Sequence, residues 1–515
     1  MDSARTSEAA ARLRPGLIAA LALSVGACVF FSRGWGIGQD SRLMHYVVFL
    51  MRHGFAPYRD IVDMNMPVTY MVEWAGMRLF GMGDAAWRCF DLFLLLMGCV
   101  AAAYLARPRG RLAAGSAALL VALAHFSGGA FDAAQRDYTL AVLLLIGTAA
   151  MFFAMRRVAA WPMLAFGAAS GFAAGIKPYV IPLPFLLLAA AVVHLRRRNV
   201  SPGKFVAWAL AGAAIPIAAV CGFLQHYHAW QAFLGPVLEL AHYHRGHGNL
   251  PLPALLLRWL PWTLMPLFVL AAIQGLVAWR GMRWDWEEYV LLAIGLFGIA
   301  GYLYQGKGWS YQAAPALMFL AVLAARLLAG VRAHSALGRY AFLALLAFSV
   351  LLPTGYIPLN MARHPHRDPD AVESSLMADL TAAAGHSGDN VAKLSGHIQC
   401  LDWNSGCLGA LYRLRLVPVT GDVFDFWLFP AQPAPITGEL QANFYRKITA
   451  SPPQVIVLTA HDWPAQQGFA KLDRWPQFAT WLDTNYSVAL EHHAWMTENH
   501  RPVDRGYRIY VQKAR

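Results

Sequence analysis

Hydrophobic and polar positions alternate along the first 360 residues in long blocks. Apolar runs of roughly twenty residues, the length that crosses a bilayer, are separated by short polar segments. The runs occupy residues 17–31, 87–105, 112–126, 138–155, 163–176, 180–194, 205–224, 255–279, 289–304, 313–328 and 340–352. This pattern predicts a mainly α-helical, polytopic membrane protein with about eleven transmembrane helices.

Arginine is concentrated in every second polar segment, which predicts the orientation of the chain. The arginine-rich segments contain Arg107, Arg109 and Arg111, then Arg156 and Arg157, then Arg196 to Arg198, then Arg280, then Arg326. The positive-inside rule places these segments in the cytoplasm, together with the N-terminus. The other segments then face outward: residues 40–87, 127–137, 177–178, 226–253, 305–312 and everything after Pro353.

The hydropathy changes near residue 360. Residues 1–358 are predicted to form the transmembrane domain, and residues 17–31 are interpreted as a signal anchor that is kept. Residues 359–515 contain β-type runs at 454–459 and 507–512 and helical patterns at 369–384 and 478–484. They therefore predict a small extracytoplasmic α/β domain.

Composition supports this class and excludes others. Only 14% of the 515 residues are charged and 58% are hydrophobic, whereas soluble domains carry about a quarter charged residues. The net charge of +13 comes from arginines placed as orientation signals, so membrane lipids are expected as partners and nucleic acid is not. Cys400 and Cys407 lie in the polar part, where a disulfide would fit an oxidising compartment; the sequence leaves this pairing open.

The first outward segment, residues 36–86, contains two amphipathic stretches at 43–51 and 68–80, separated by the turn Gly54 to Pro57. Such stretches are expected to lie along the membrane surface. Asp40 precedes them, directly after the first apolar run. A carboxylate near a dry surface can act as a general base, although a plain helix-end residue in the headgroup region fits the same position.

Several residues of this segment resemble the first extracytoplasmic loop of the GT-C glycosyltransferases. They are Asp40, the run Pro57-Tyr58-Arg59-Asp60, Asp63, Pro67 and Tyr70. The resemblance is to the bacterial family that includes protein mannosyltransferases and the lipid A aminoarabinose transferase. It implies a GT-C fold, a polyprenyl-phosphate-linked sugar as donor and Asp40 as the catalytic aspartate.

The same resemblance implies a second acidic residue at the outer end of the fourth span, where Asp137 lies. That residue would orient the acceptor or support the first aspartate. An ion pair with Arg136 that caps the helix fits Asp137 equally well, because a negative charge is favourable at a helix N-terminus. Asp132 is a weaker candidate for the same role.

A lipid-phosphate leaving group needs fixed positive charge where negative charge develops. Relatives often carry a lysine just before the loop proline, but this chain has Asn65-Met66-Pro67, so Asn65 brings a hydrogen-bond donor without a charge. Arg59, Lys177, Arg245 and Lys307 are the candidates that remain. Lys307 and Tyr311 lie in YQGKGWSYQAAP, which resembles the outer loop before a late span of the family, and Asp63 and Asn65 are predicted to contact substrate.

The richest polar cluster spans residues 242–249, HYHRGHGN. Its histidine spacing is compatible with a metal, yet Glu239 is the only carboxylate nearby in sequence, so no metal ligands are assigned. His244 and Arg245 are predicted to contact lipid phosphate or acceptor, with a plain mobile loop as the alternative. No P-loop or Rossmann fingerprint is present, so no nucleotide cofactor is predicted; family members differ in their need for a divalent metal, which leaves that point open.

Two functions follow from these observations. The first is an inverting glycosyltransferase that moves a sugar from a polyprenyl-phosphate donor to an acceptor hydroxyl at the outer face of the bacterial cytoplasmic membrane. The acceptor would be a lipid, a protein or a polysaccharide. The second is a transporter or flippase of lipid-linked sugar intermediates, which would be expected to show repeated halves and charges in the middle of its spans. The sequence shows neither, and favours the transferase; a catalytically inactive scaffold also fits.

Overall fold

The structure is a computed structural model that describes residues 2–281, 284–329, 336–364, 371–386, 390–498 and 501–513. The α-helices of these residues are α1 (Asp2–Ser32), α2 (Gln39–Arg52), α3 (Pro67–Phe80), α4 (Asp84–Ala106), α5 (Arg111–Ser127), α6 (Arg136–Arg157), α7 (Met163–Ile176), α8 (Pro182–Arg197), α9 (Gly203–His226), α10 (Trp230–Ala232), α11 (Leu238–Gly246), α12 (Leu252–Arg258), α13 (Met265–Arg280), α14 (Trp286–Gln305), α15 (Ala314–Ala329), α16 (Ala336–Arg363), α17 (Ala371–His386), α18 (Cys407–Leu414), α19 (Thr437–Ala450) and α20 (Pro476–Asn485). The strands are β1 (Ile398–Leu401), β2 (Val455–Thr459), β3 (Tyr486–His492), β4 (Trp495–Glu498), β5 (Arg501–Asp504) and β6 (Tyr507–Gln512). The mainly α-helical prediction is confirmed.

Eight helical segments among the described residues are long and apolar enough to cross a membrane. They are Pro15–Ser32, Asp84–Arg109, Arg136–Arg157, Pro178–Arg197, Gly203–His226, Trp286–Gln305, Ser310–Ala329 and Ala341–Arg363. Three shorter apolar helices, Arg111–Ser127, Met163–Ile176 and Met265–Arg280, coincide with further predicted spans. The chain is a multi-pass membrane protein, and the exact number of crossings stays a prediction.

One predicted span is not a single helix in the structure. Residues 255–279 do not form one helix, because α12 ends at Arg258 and α13 begins at Met265. Pro261 and Pro266 explain the break: proline lacks the amide hydrogen that a helix interior needs, and it disfavours helical backbone in the residue before it.

Two compact units make up the chain. The first combines Met1–Gly36, Asp84–Val220 and Asn249–His366. Within the described residues, the segments long and apolar enough to cross a membrane all lie in this unit, apart from residues 221–226 at the end of α9. The second combines Ile37–Gly83, Cys221–Gly248 and Arg367–Arg515.

Helices α14 and α15 of the first unit pack closely along a face of small residues. Gly295, Gly298 and Gly301 recur every three positions of α14. A Cβ atom on Gly298 would lie 2.5 Å from the backbone nitrogen of Ala316, so only glycine allows this approach. Small residues at helix interfaces are typical of membrane proteins, where close backbone contact replaces the hydrophobic driving force.

A buried arginine joins one end of these two helices. The guanidinium of Arg326 on α15 is fully buried and contacts Glu287 and Glu288 at 2.7 Å each and Asp285 at 3.1 Å. Asp285 also caps α14, since its side chain accepts hydrogen bonds from the backbone amides of Glu287 and Glu288.

Two further arginines complete this ionic cluster. Arg156 of α6 donates to Glu287 at 2.7 Å and to the backbone oxygen of Tyr104, and Arg109 donates to Glu288 at 3.0 Å. The arginines predicted as orientation signals therefore also hold α4, α6, α14 and α15 together.

The second unit contains a four-stranded sheet in the order β1-β2-β6-β3, in which β1 and β2 are parallel and the other pairs antiparallel. Strands β2 and β6 confirm the two predicted β-type runs, and α17 and α20 lie at the predicted helical patterns; residues 369–370 of the first pattern lie outside the described residues. Cys400 and Cys407 form a disulfide.

Helix α2 is buried within this unit, with no exposed residue from Ser41 to Met51. The hydroxyl of Tyr46 donates to the backbone oxygen of Leu416 at 3.1 Å, and Arg42 pairs with Glu373 at 3.2 Å. The backbone amide of Ile436 donates to Glu239 at 3.0 Å. All three segments of the unit are thus joined by direct contacts.

Replacing Arg326 with methionine is expected to lower the free energy of unfolding by about 3–5 kcal/mol, because it removes the fully buried guanidinium and leaves three clustered carboxylates with only Arg109 and Arg156 beside them. Thermal unfolding of the detergent-solubilised protein measures the change. Arg157→Met is the matched control, because Arg157 ends α6 with an exposed side chain. Equal shifts for the two variants would contradict a stabilising role of the cluster.

Candidate functional site

The first unit holds a buried ion pair between two residues that the sequence singles out. Lys177 Nζ lies 2.6 Å from Asp137 Oδ2, and the Asp137 side chain is fully buried. The amide of Gln305 bridges the pair: its Nε2 donates to Asp137 Oδ1 at 3.4 Å, and its Oε1 accepts from Lys177 and from Gln312. Asp137, Lys177, Gln305 and Gln312 are called the polar cluster below.

Helix ends explain why these side chains meet. Asp137 lies in the first turn of α6, where a negative charge is favourable. Lys177 is the first residue beyond α7, and Gln305 is the last residue of α14. Gly306 follows in the left-handed conformation, φ 71°, which ends α14 as glycine commonly ends helices.

The loop after α14 carries the second lysine. Lys307 Nζ donates to Asn249 Oδ1 at 3.0 Å, and only 6% of the residue is exposed. Burial lowers the pKa of Lys307 to about 8. The side chain of Lys307 is therefore mostly a charged ammonium group at pH 7, and it loses its proton near pH 8.

The segment between α5 and α6 faces the same loop. Ser310 Oγ donates to Asp132 at 2.5 Å, and burial raises the pKa of Asp132 to about 7 against the lowering effect of that hydrogen bond. The ring of Tyr311 packs between Phe131 at 5.5 Å and Trp309 at 5.7 Å.

Three buried polar atoms at the polar cluster and at the loop that carries Lys307 lack hydrogen-bond partners within the described residues. They are the hydroxyl of Tyr179 and Oε1 of Gln312 at the cluster, and the hydroxyl of Tyr302 beside the loop. Tyr179 lies against Gly301, and the Tyr302 hydroxyl lies 3.6 Å from the position of a Cβ on Gly308. Unsatisfied buried groups are rare in proteins and are a common sign of a site that takes a polar ligand or water.

In the second unit, Asp40 lies in the first turn of α2 and is partly buried. Asp63 is 2% exposed and accepts hydrogen bonds from Asn65 Nδ2 at 2.6 Å and from the hydroxyl of Tyr70. Arg59 is half-exposed and pairs with Asp60 at 2.8 Å. The predicted substrate residues Asp63 and Asn65 therefore touch each other, and Arg59 has a separate partner.

His244 and Arg245 lie on α11. The ring of His244 stacks on that of Trp463, with 5.5 Å between the ring centroids. The rings of Phe426 and Trp403 lie further away, with centroids at 6.1 Å and 6.4 Å. Arg245 is exposed. Among the described residues, no three His, Cys, Asp or Glu side chains are grouped to hold a metal ion.

Sequence reasoning missed Gln305, Gln312 and Asn249. Each is an uncharged amide residue beside an apolar run, so nothing in the local sequence marks it as part of a site. It also ranked Asp132 low, although this residue has a strongly raised pKa and a direct contact with the loop of Lys307 and Tyr311.

No model of a known protein family and no curated protein sequence matches the chain. Solved structures do. ArnT from Cupriavidus metallidurans, bound to undecaprenyl phosphate, has a TM-score of 0.57 at 16% identity, covering 96% of this chain and 98% of ArnT. The apo state of ArnT gives 0.54 at 16% identity, covering 97% and 98%.

The oligosaccharyltransferase of Archaeoglobus fulgidus in the apo form has a TM-score of 0.51 at 12% identity. The aligned residues cover 95% of this chain and 74% of the oligosaccharyltransferase chain. ArnT and this enzyme are both GT-C superfamily members. The chain has the GT-C fold. The fold resemblance inferred from residues 36–86 is thereby confirmed over nearly the whole chain.

A double-mutant cycle tests the ion pair of the polar cluster. Lys177→Met alone is expected to destabilise the protein by about 3 kcal/mol, because it leaves the buried carboxylate of Asp137 without its ammonium partner. Adding Asp137→Asn should recover part of that cost and give a coupling energy of about 1–3 kcal/mol. Unfolding in detergent measures all four proteins, and simply additive costs would contradict a direct pair.

Proposed function

We propose that this protein is a membrane glycosyltransferase whose donor is a sugar linked to a polyprenyl phosphate. One observation carries the proposal: within a GT-C fold similar to undecaprenyl-phosphate-bound ArnT, two partly or wholly buried lysines, Lys177 and Lys307, stand at adjoining helix ends. Buried lysines are costly unless they pair or serve a ligand, and a phosphate leaving group needs such charges.

The proposed reaction is a single displacement with inversion. The acceptor hydroxyl loses its proton to Asp40, its oxygen forms the bond to the anomeric carbon, and the bond from that carbon to the phosphate oxygen breaks. The electron pair of the broken bond leaves with the polyprenyl phosphate. Lys307 and Lys177 are proposed to hold the departing phosphate, and Asp137 keeps the ammonium of Lys177 in place.

The other predicted residues have supporting roles in this proposal. Tyr311, beside Lys307, supplies a hydroxyl to the donor, and Asp63 and Asn65 contact substrate. Arg59, His244 and Arg245 contact phosphate or acceptor.

The arginine pattern supports a cytoplasmic N-terminus, an extracytoplasmic C-terminal domain and catalysis at the outer face of the bacterial cytoplasmic membrane. The acceptor is proposed to carry a hydroxyl on a lipid, protein or polysaccharide.

Asp40→Asn is expected to reduce turnover about 10²–10⁴-fold, as loss of a general base does, while the variant still folds. The assay is transfer of a radiolabelled sugar from undecaprenyl phosphate to membrane acceptors. Asp84→Asn is the matched control, because Asp84 is also a first-turn aspartate of a helix. Unchanged turnover would contradict the base, and lipid-linked sugar translocation without transfer would favour the flippase.

Binding of undecaprenyl phosphate is expected to weaken as the pH rises through about 8, because Lys307 has a lowered pKa and loses its charge there. Bound phosphate favours the ammonium form, so the midpoint should lie at or above that value. Lys307→Arg should keep binding at higher pH, since a guanidinium stays charged, and Lys307→Met should bind weakly throughout. Native mass spectrometry measures occupancy.

Lys204→Met serves as the control for this series, because Lys204 is an exposed lysine at the start of α9. The phosphate role would be contradicted if Lys307→Met bound as the unmodified protein does, or if Lys307→Arg lost binding over the same pH range.

A further inference from the structure

A cavity of about 360 Å³ lies within the second unit. Three separate segments line it: the loop around Tyr58 and Asp63, the stretch from Gln231 to Leu240, and helix α19 with Glu439 and Asn443. Ligand pockets of proteins have volumes of about 300–1,000 Å³, so this cavity suits a small group and not a whole lipid.

The lining has two kinds of surface. Tyr58, Val62, Val237, Leu240 and Leu440 provide aromatic and aliphatic walls. Carboxylates, amides and a guanidinium stand among them, on Asp63, Glu439, Asn443, Gln231 and Arg59. A sugar ring matches such a lining, because its C–H faces pack on apolar side chains while its hydroxyls bond to carboxylate and amide groups.

The charges around the cavity do not suit a phosphate. Arg59 is already paired with Asp60 at 2.8 Å, and Arg446 donates to Asn443 Oδ1 at 2.8 Å. Together with Asp63 and Glu439, these residues bring three carboxylates against two guanidinium groups. An anionic ligand would be repelled, whereas a neutral or amine-bearing ring would not.

One wall is held in a fixed and unusual conformation. Tyr58 has φ 69°, a left-handed value that costs a non-glycine residue about 1 kcal/mol or more. Its amide donates to Ile61 at 2.9 Å, its hydroxyl donates to the backbone oxygen of Asn65 at 2.6 Å, and its ring packs on Phe233 at 5.2 Å. The aromatic wall is therefore in place before any ligand arrives, which lowers the cost of binding.

We propose that this cavity binds an uncharged or amino sugar ring of the acceptor. The inference rests on the proposed transferase function, since it assigns the acceptor, not the donor phosphate, to this pocket. It also narrows two proposed roles: Arg59, proposed to contact phosphate or acceptor, and Asp63, proposed to contact substrate, are both assigned to the acceptor.

Saturation-transfer NMR on the full-length protein in detergent tests the proposal with three probes: methyl glucoside, methyl glucosaminide and glucose 1-phosphate. The first two should bind in the millimolar range, and glucose 1-phosphate should bind far more weakly. Glu439→Gln, which replaces a charged acceptor oxygen with an amide donor, and Gln231→Ala, which removes a hydrogen-bonding group, should each weaken glycoside binding about tenfold. Glu491→Gln, an exposed carboxylate on β3 that does not line the cavity, should leave binding unchanged.

Binding of undecaprenyl phosphate by the same samples shows that the variants fold and separates the two proposals. Lipid binding without any glycoside signal, or glycoside binding that both cavity variants leave intact, would overturn the acceptor pocket and leave the transferase proposal standing. Glycoside binding that depends on the cavity, without lipid binding, would support the pocket and count against the polyprenyl-phosphate donor.

Discussion

A charge inside a bundle of apolar helices needs a partner of opposite sign, because neither lipid nor packed side chains solvate it. Two clusters of the first unit that share helix α14 meet this requirement. Arg326 lies among Asp285, Glu287 and Glu288, and Lys177 lies against Asp137. Helix α14 takes part in both, with its acidic first turn in one cluster and Gln305 in the other.

The two clusters differ in how completely they are satisfied. Around Arg326, each carboxylate pairs with at least one guanidinium group. Helix α14 also has a complete capping box. Both features are expected of a cluster whose role is to hold helices together. Around Lys177, the hydroxyl of Tyr179 has no partner within the described residues, and nearby Lys307 and Asp132 have pKa values displaced toward neutrality. Stability explains the first arrangement, and the second has the features expected of the phosphate-binding site proposed above.

Hydropathy alone could predict most of the helices, because a bilayer span needs a long apolar run and the arginines mark its ends. It could not predict the break between α12 and α13, where two prolines interrupt an apolar run without making it polar. Asp137 and Lys177 were recognisable as costly charges at span ends. Gln305 was not, because its importance arises only when α6, α7 and α14 bring their ends together, which is a property of packing and not of local sequence.

The second unit is assembled from segments that are far apart in the chain: Tyr46 and Leu416, joined by a hydrogen bond, are separated by 370 positions. At a synthesis rate of about 5–20 residues per second, α2 leaves the ribosome roughly 20–70 s before its partner does. Throughout that interval its apolar side chains cannot be covered by the C-terminal part of the protein. The bilayer surface or a folding factor must shield them, so correct assembly of this unit depends on the order in which translation and membrane insertion release its pieces.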